Sequence, residues 1–147
     1  MRILAMGVVL IVAATTGFAQ EAEKSRRPAR DDRPEIALRA TPTMAFSPAK
    51  VSIRAELKGG ADDFEEYYCT TIEWVWGDGT SSEVSVDCDP YEPGTSEIRR
   101  YYTGSHTYNV AGHYDVRFRM KKNDKVVGFG RTTVQVRPGI RDIGPYD

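Results

Sequence analysis

Ile72-Glu73-Trp74-Val75-Trp76-Gly77-Asp78-Gly79-Thr80 is the stretch that sets the fold of this chain. Side chains alternate across a strand with a period of two, so Trp74 and Trp76 share one face, and the strand runs straight into a Gly-Asp-Gly turn. Two large aromatic rings on one face need a core to bury them. An aspartate between two glycines suits a tight turn in which the carboxylate accepts backbone N–H groups. The stretch predicts a central strand over 70–76, with 83–86 returning as its hairpin partner.

The same period recurs on both sides of it. Val51-Ser52-Ile53-Arg54-Ala55-Glu56-Leu57 points its apolar members inward and Ser52, Arg54 and Glu56 to water. Tyr114-Asp115-Val116-Arg117-Phe118-Arg119-Met120 alternates as clearly. After a turn at Lys122-Asn123-Asp124, residues 126–136 predict the last strand, with Thr132, Val134 and Val136 on its inner face. Residues 36–40 predict a short edge strand, because Pro42 and Pro48 interrupt the chain beyond it. A further short strand is expected at 98–102, after a loop over 87–96 that holds Pro90, Pro93 and Gly94. About seven short antiparallel strands with no convincing amphipathic helix predict an all-β chain folded as a two-sheet sandwich. No internal repeat suggests an array.

A second landmark is His106-Thr107-Tyr108-Asn109-Val110-Ala111-Gly112-His113-Tyr114-Asp115-Val116. The two motifs in this order resemble the PKD domain, an immunoglobulin-like β-sandwich found in extracellular proteins, over roughly residues 36 to 137. Val75 stands where that family often carries an acidic residue, and the insert between the motifs is longer than usual and holds a cysteine. The resemblance implies structural roles for Trp74, Trp76, Gly77, Asp78, Gly79, His106, Tyr108, Gly112 and Tyr114, the His-Thr-Tyr segment locking a corner of the sandwich. It also implies an accessory adhesion, spacer or interaction unit.

The chain has 147 residues, room for one domain, and its formal net charge of -1 argues against nucleic acid or an anionic membrane as partner. Arg2, the apolar run 3–14 and Gly17-Phe18-Ala19 read as a secretory signal peptide over 1–19. No later segment approaches the ~20 apolar residues of a spanning helix, so no membrane span is expected in the mature chain. No cysteine near the cleavage site offers a lipid anchor, which leaves a secreted or periplasmic protein. Residues 20–34 read as a disordered linker, Lys24, Arg26, Arg27, Arg30 and Arg33 being offset by Glu21, Glu23, Asp31 and Asp32. The domain is expected over 35–137 and an irregular tail over 138–147. The two cysteines, Cys69 and Cys88, predict one disulfide in an oxidising compartment. Free thiols are the alternative, and a metal site is weaker, since two cysteines supply half a tetrahedral shell.

The two histidines, His106 and His113, each have a serine or an acid beside them in sequence, Ser105 and Asp115. Strand neighbours point to opposite faces, whereas a triad needs its members within hydrogen-bond reach. The sequence has no phosphate-binding Gly-rich loop, no His-Glu-x-x-His and no Gly-x-Ser-x-Gly. The expectation is a non-enzymatic binding or scaffold module, a monomer without a cofactor, contacting an extracellular or periplasmic protein or a polysaccharide. Tyr67, Tyr68, Tyr101 and Tyr102 are the candidate ligand-binding residues, since exposed rings stack on sugars or anchor protein partners. The bland alternative puts one ring of each pair in the core and one on the rim. A calcium-dependent module using Asp62, Asp63 and Asp78 is the second expectation, and it requires six to eight oxygens to converge. A small secreted hydrolase built on His106 or Asp78 is the third.

Overall fold

The computed structural model describes residues 32–140. Its eight strands, in chain order, are β1 Glu35–Thr41, β2 Met44–Phe46, β3 Ala49–Lys58, β4 Thr71–Val75, β5 Ser81–Val84, β6 Tyr101–Tyr108, β7 Gly112–Lys122 and β8 Lys125–Arg137. A 3₁₀ turn at Glu65–Tyr67 lies between β3 and β4. One sheet has the order β1-β3-β6 and faces a second with the order β2-β8-β7-β4-β5. Every pairing is antiparallel except β2 with β8, which is parallel. The fold is an all-β, immunoglobulin-like sandwich.

The core is built by alternation. In β3, Ala49, Val51, Ile53, Ala55 and Leu57 are buried while Lys50, Ser52 and Arg54 face water. From the opposite sheet Ile72, Trp74, Val116, Phe118, Met120, Val134 and Val136 meet them, completing a core about one side chain deep from each face. The Tyr114 hydroxyl donates to the Val110 carbonyl at 2.6 Å, which ties the start of β7 to the preceding corner. Tyr108 stacks on Tyr114 with centroids 4.1 Å apart and donates to the Trp76 carbonyl at 2.9 Å.

Four features depart from the expected layout. The tryptophan strand β4 is not central: β7 holds the centre of the larger sheet, with β8 on one side and β4 on the other. Ring size signals depth, but depth here comes from the facing sheet and not from rank within a sheet. The strand expected at 98–102 begins at Tyr101 and continues through His106 to Tyr108, because Tyr102, Gly104, His106 and Tyr108 all take the inner face. A glycine and a histidine in that register hide the apolar period. Short β2, lying between Pro42 and Pro48, was not expected; it pairs at Met44↔Gln135 through Phe46↔Arg137 and raises the count to eight, with one parallel pair. Finally, the returning strand β5 runs Ser81–Val84 rather than 83–86.

The expected signal peptide and residues 20–31 of the expected linker lie outside the described residues, as do 141–147 of the tail. Within the described part, Pro34 is fully buried. Arg33 pairs with Glu66 and lies over the rings of Phe64 and Tyr67 at 5.7 and 5.6 Å. At the other end, the Gly139 N–H donates to Ser47 Oγ at 3.1 Å.

Candidate functional site

The Gly77-Asp78-Gly79 turn forms one corner of the sandwich. Gly77 has φ +86°, and a Cβ there would lie 2.9 Å from the backbone N and O of Asp115, so the position admits no side chain. Asp78 Oδ1 accepts from the Thr80 N–H at 3.0 Å and from the Thr80 hydroxyl at 2.6 Å, an Asx-type turn. Its other oxygen meets His106 Nε2 at 2.7 Å. Burial pushes the Asp78 carboxyl up, but the Thr80 hydroxyl, the His106 ring and the Thr80 N–H outweigh it and hold it at about 2. A carboxylate ionised at neutral pH accepts, so Nε2 donates. The imidazole stacks on Trp76, centroids 4.9 Å apart and planes 11° apart, and it meets the Tyr108 ring edge-on at 4.8 Å.

This Asp–His pair resembles part of a catalytic triad but lacks the rest. Among the described residues, no serine, threonine or cysteine hydrogen-bonds to His106, and the nearby Thr80 hydroxyl is committed to Asp78. What the arrangement does chemically is fasten the β4–β5 turn to β6 of the opposite sheet. Burial pushes the Tyr108 hydroxyl beside it to about 12, with Asp78 adding to the shift, so Tyr108 stays a neutral donor.

The acids proposed for calcium are not gathered. Asp62 pairs with Arg100, its Oδ1 accepting from Arg100 Nε at 2.9 Å. Asp63 Oδ2 accepts from the Gly94 N–H at 3.1 Å. Both precede β4, whereas Asp78 follows it. Among the described residues no three His, Cys, Asp or Glu side chains converge to hold a metal ion.

The four candidate tyrosines are divided as well. Tyr67 is buried, packed edge-on to Phe64 at 5.0 Å, and burial raises its hydroxyl pKa against the pull of Arg33. Tyr101 is exposed on the outer face of the smaller sheet, beneath the Arg54 guanidinium at 4.5 Å. Tyr68 and Tyr102 do come together, as walls of a groove on the open side of the sandwich between β5 and β6. Its volume is about 290 Å³. Ile72, Trp74, Val84 and Val86 supply apolar surface, and the Cys69–Cys88 disulfide, Glu97 and Arg99 line it as well.

The groove exists because two sheet edges are left uncovered. β5 pairs with β4 alone and β6 with β3 alone, and residues 85–100 between them contain no strand. Val84 lies opposite buried Ile72 and so points to the inner face, yet it is 56% exposed, as no strand of the smaller sheet reaches over it. Val86 is 54% exposed for the same reason. Tyr68 is held by its hydroxyl, which donates to the Asp89 carbonyl at 3.0 Å, and by its edge-to-face contact with Tyr91. Arg99 lies 5.2 Å from the Tyr102 ring and donates to the Tyr101 carbonyl at 2.8 Å. Burial raises the Tyr102 hydroxyl pKa, with Thr70 and Arg99 pulling it back. Thr70 is close enough to Tyr102 for that effect, but its own buried hydroxyl makes no hydrogen bond of ordinary geometry.

Of the four tyrosines named from the sequence, Tyr68 and Tyr102 line the groove; Thr70, Val84, Val86, Glu97 and Arg99 line it too and were not singled out from the sequence. Residues 83–86 were legible as a returning hairpin strand. That nothing faces it was not, since this depends on where the other sheet ends.

No family model matches the chain, and the search of curated proteins finds no match. Among solved structures, the chain is similar to the PKD domain of an M14-like peptidase from Thermoplasmatales archaeon SCGC AB-540-F20, with a TM-score of 0.48 and 18% identity over 72% of this chain and 97% of that one.

Proposed function

We propose that this protein is a secreted or periplasmic, non-catalytic binding module that makes protein–protein or protein–polysaccharide contacts. One contrast carries the reading. The pair most like catalytic machinery, Asp78 and His106, is consumed in fastening a turn, while the groove between β5 and β6 presents aromatic and apolar surface. A concavity of apolar walls with a few polar groups is the usual form of a binding site. A bonded Cys69–Cys88 pair supports an oxidising compartment. Among the described residues no helix is long and apolar enough to cross a membrane.

The test is capture. Purified protein is immobilised and exposed to envelope and secretome extracts of the source organism, with a panel of ester, peptide and glycoside substrates run in parallel. One protein or polymer retained at defined stoichiometry, with no turnover, is the expected result. Turnover abolished in a folded His106→Gln variant would overturn the reading in favour of a hydrolase.

A further inference from the structure

We infer that the edge of β5 and the adjoining groove form a docking site for an extended peptide strand of a partner protein, basic in charge and carrying a large apolar or aromatic side chain. The inference rests on the binding-module reading above and names the partner class for it. Three observations converge. First, every residue of β5 is exposed and β5 pairs on one side alone, leaving backbone N–H and C=O groups along its outer edge for a further antiparallel or parallel strand. The run stays alongside β4 past the strand end, since Ser85 Oγ lies 3.1 Å from Thr71 Oγ1. The corresponding edge of β6 is less accessible at its start, where Arg99 occupies the Tyr101 carbonyl.

Second, a strand added beside β5 continues the inner face of the larger sheet, so its inward side chains pass over Val84 and Val86 toward the groove. A volume of about 290 Å³ accommodates one large side chain with room to spare. Among the lining residues, the Thr70 hydroxyl is buried beside Tyr102 without a hydrogen bond of ordinary geometry, and a buried hydroxyl in that state favours an incoming polar atom. Third, charge selects the sign of the partner. Glu97 lines the groove and Asp87 and Asp89 flank Cys88 in the chain, none of them in an ion pair among the described residues, while the lining cation Arg99 lies over the Tyr102 ring and donates to the Tyr101 carbonyl. By contrast, Glu73 and Glu83 on the outer face of the same sheet are taken by Arg119 and Lys121. Uncompensated carboxylates beside an open strand edge attract Lys and Arg and disfavour acidic partners.

The experiment selects peptides from a random phage-displayed library on the intact protein, counter-selecting on Val84→Lys, whose exposed site tolerates the change without unfolding. Enriched sequences are expected to carry an aromatic or large apolar residue in an alternating pattern flanked by Lys or Arg. Their synthetic forms should bind Val84→Lys and Val86→Lys at least tenfold more weakly, both variants melting like wild type, and should shift the amides of Ser81–Val84 and Thr103. Equal binding to the lysine variants, enrichment of acidic peptides, or no enrichment overturns the proposal. So do oligosaccharides such as laminarihexaose moving the same amides in place of peptides. If the lysine variants still capture the extract partner, the groove is excluded while the binding-module reading stands.

Discussion

Gly104 shows how much of this fold turns on single positions. It lies on the inner face of β6, where a Cβ would come within 2.9 Å of Trp74 and 3.0 Å of Trp76. Trp74 and Trp76 stack with centroids 5.7 Å apart, and Phe118 closes on Trp74 at 4.9 Å, so the rings have little room to withdraw. Gly104→Ala should therefore destabilise the protein by about 1–3 kcal/mol, read as a lower melting temperature in a thermal melt. Asp78 makes a second residue-level prediction through its pKa of about 2 against an ordinary 3.8. A depressed carboxyl contributes stability above its unfolded pKa and loses it as pH falls toward the folded value. With a side chain 24% exposed, a discounted contribution of about 1–2 kcal/mol should disappear between about pH 4 and pH 2. Compared with wild type across that window in urea melts, Asp78→Asn should show a stability deficit above it that closes on acidification. The shared face of the two tryptophans is legible in the sequence, since spacing alone dictates it. Gly104 is not, because its role depends on a ring from another sheet.

Among the strands, alternation made β3 and β7 readable residue by residue, for each has one wet and one dry face. β2 escaped because three residues between two prolines carry no period, and β6 because Gly104 and His106 occupy inward positions that apolar residues usually fill. The β4–β5 hairpin and the 85–100 segment are tied by Cys69–Cys88, with Cα atoms 6.0 Å apart and a sequence separation of 19. Closing a loop of that size restricts the unfolded chain by about 3 kcal/mol. Cys69→Ser/Cys88→Ser should lose about that much in denaturant unfolding, and it should also weaken the groove, since both cysteines line it. Unchanged unfolding of the double variant would mean the bridge carries no constraint.

Across the sandwich as a whole, the class of fold was legible from strand count and turn signals, and the order of strands within each sheet was not, because nothing local specifies which edges remain open. Those open edges carry the proposed function. The acids that suggested calcium lie at two ends of β4 and are bonded to Arg100, Gly94, Thr80 and His106. Assembling six to eight oxygens would require breaking these bonds. Melting curves in calcium and in chelator should coincide; a rise in melting temperature with calcium would show that the acids regroup around the ion.

The proposed binding on the open side between β5 and β6, with the Asp78–His106 corner only holding the sandwich together, has a direct readout in amide hydrogen exchange of the protein with and without a partner captured from the extract. We predict added protection over 81–86 and 99–103, with residues 76–80 and 106–108 unchanged. Protection confined to that corner, leaving 81–86 as open as in the free protein, would contradict this division of labour.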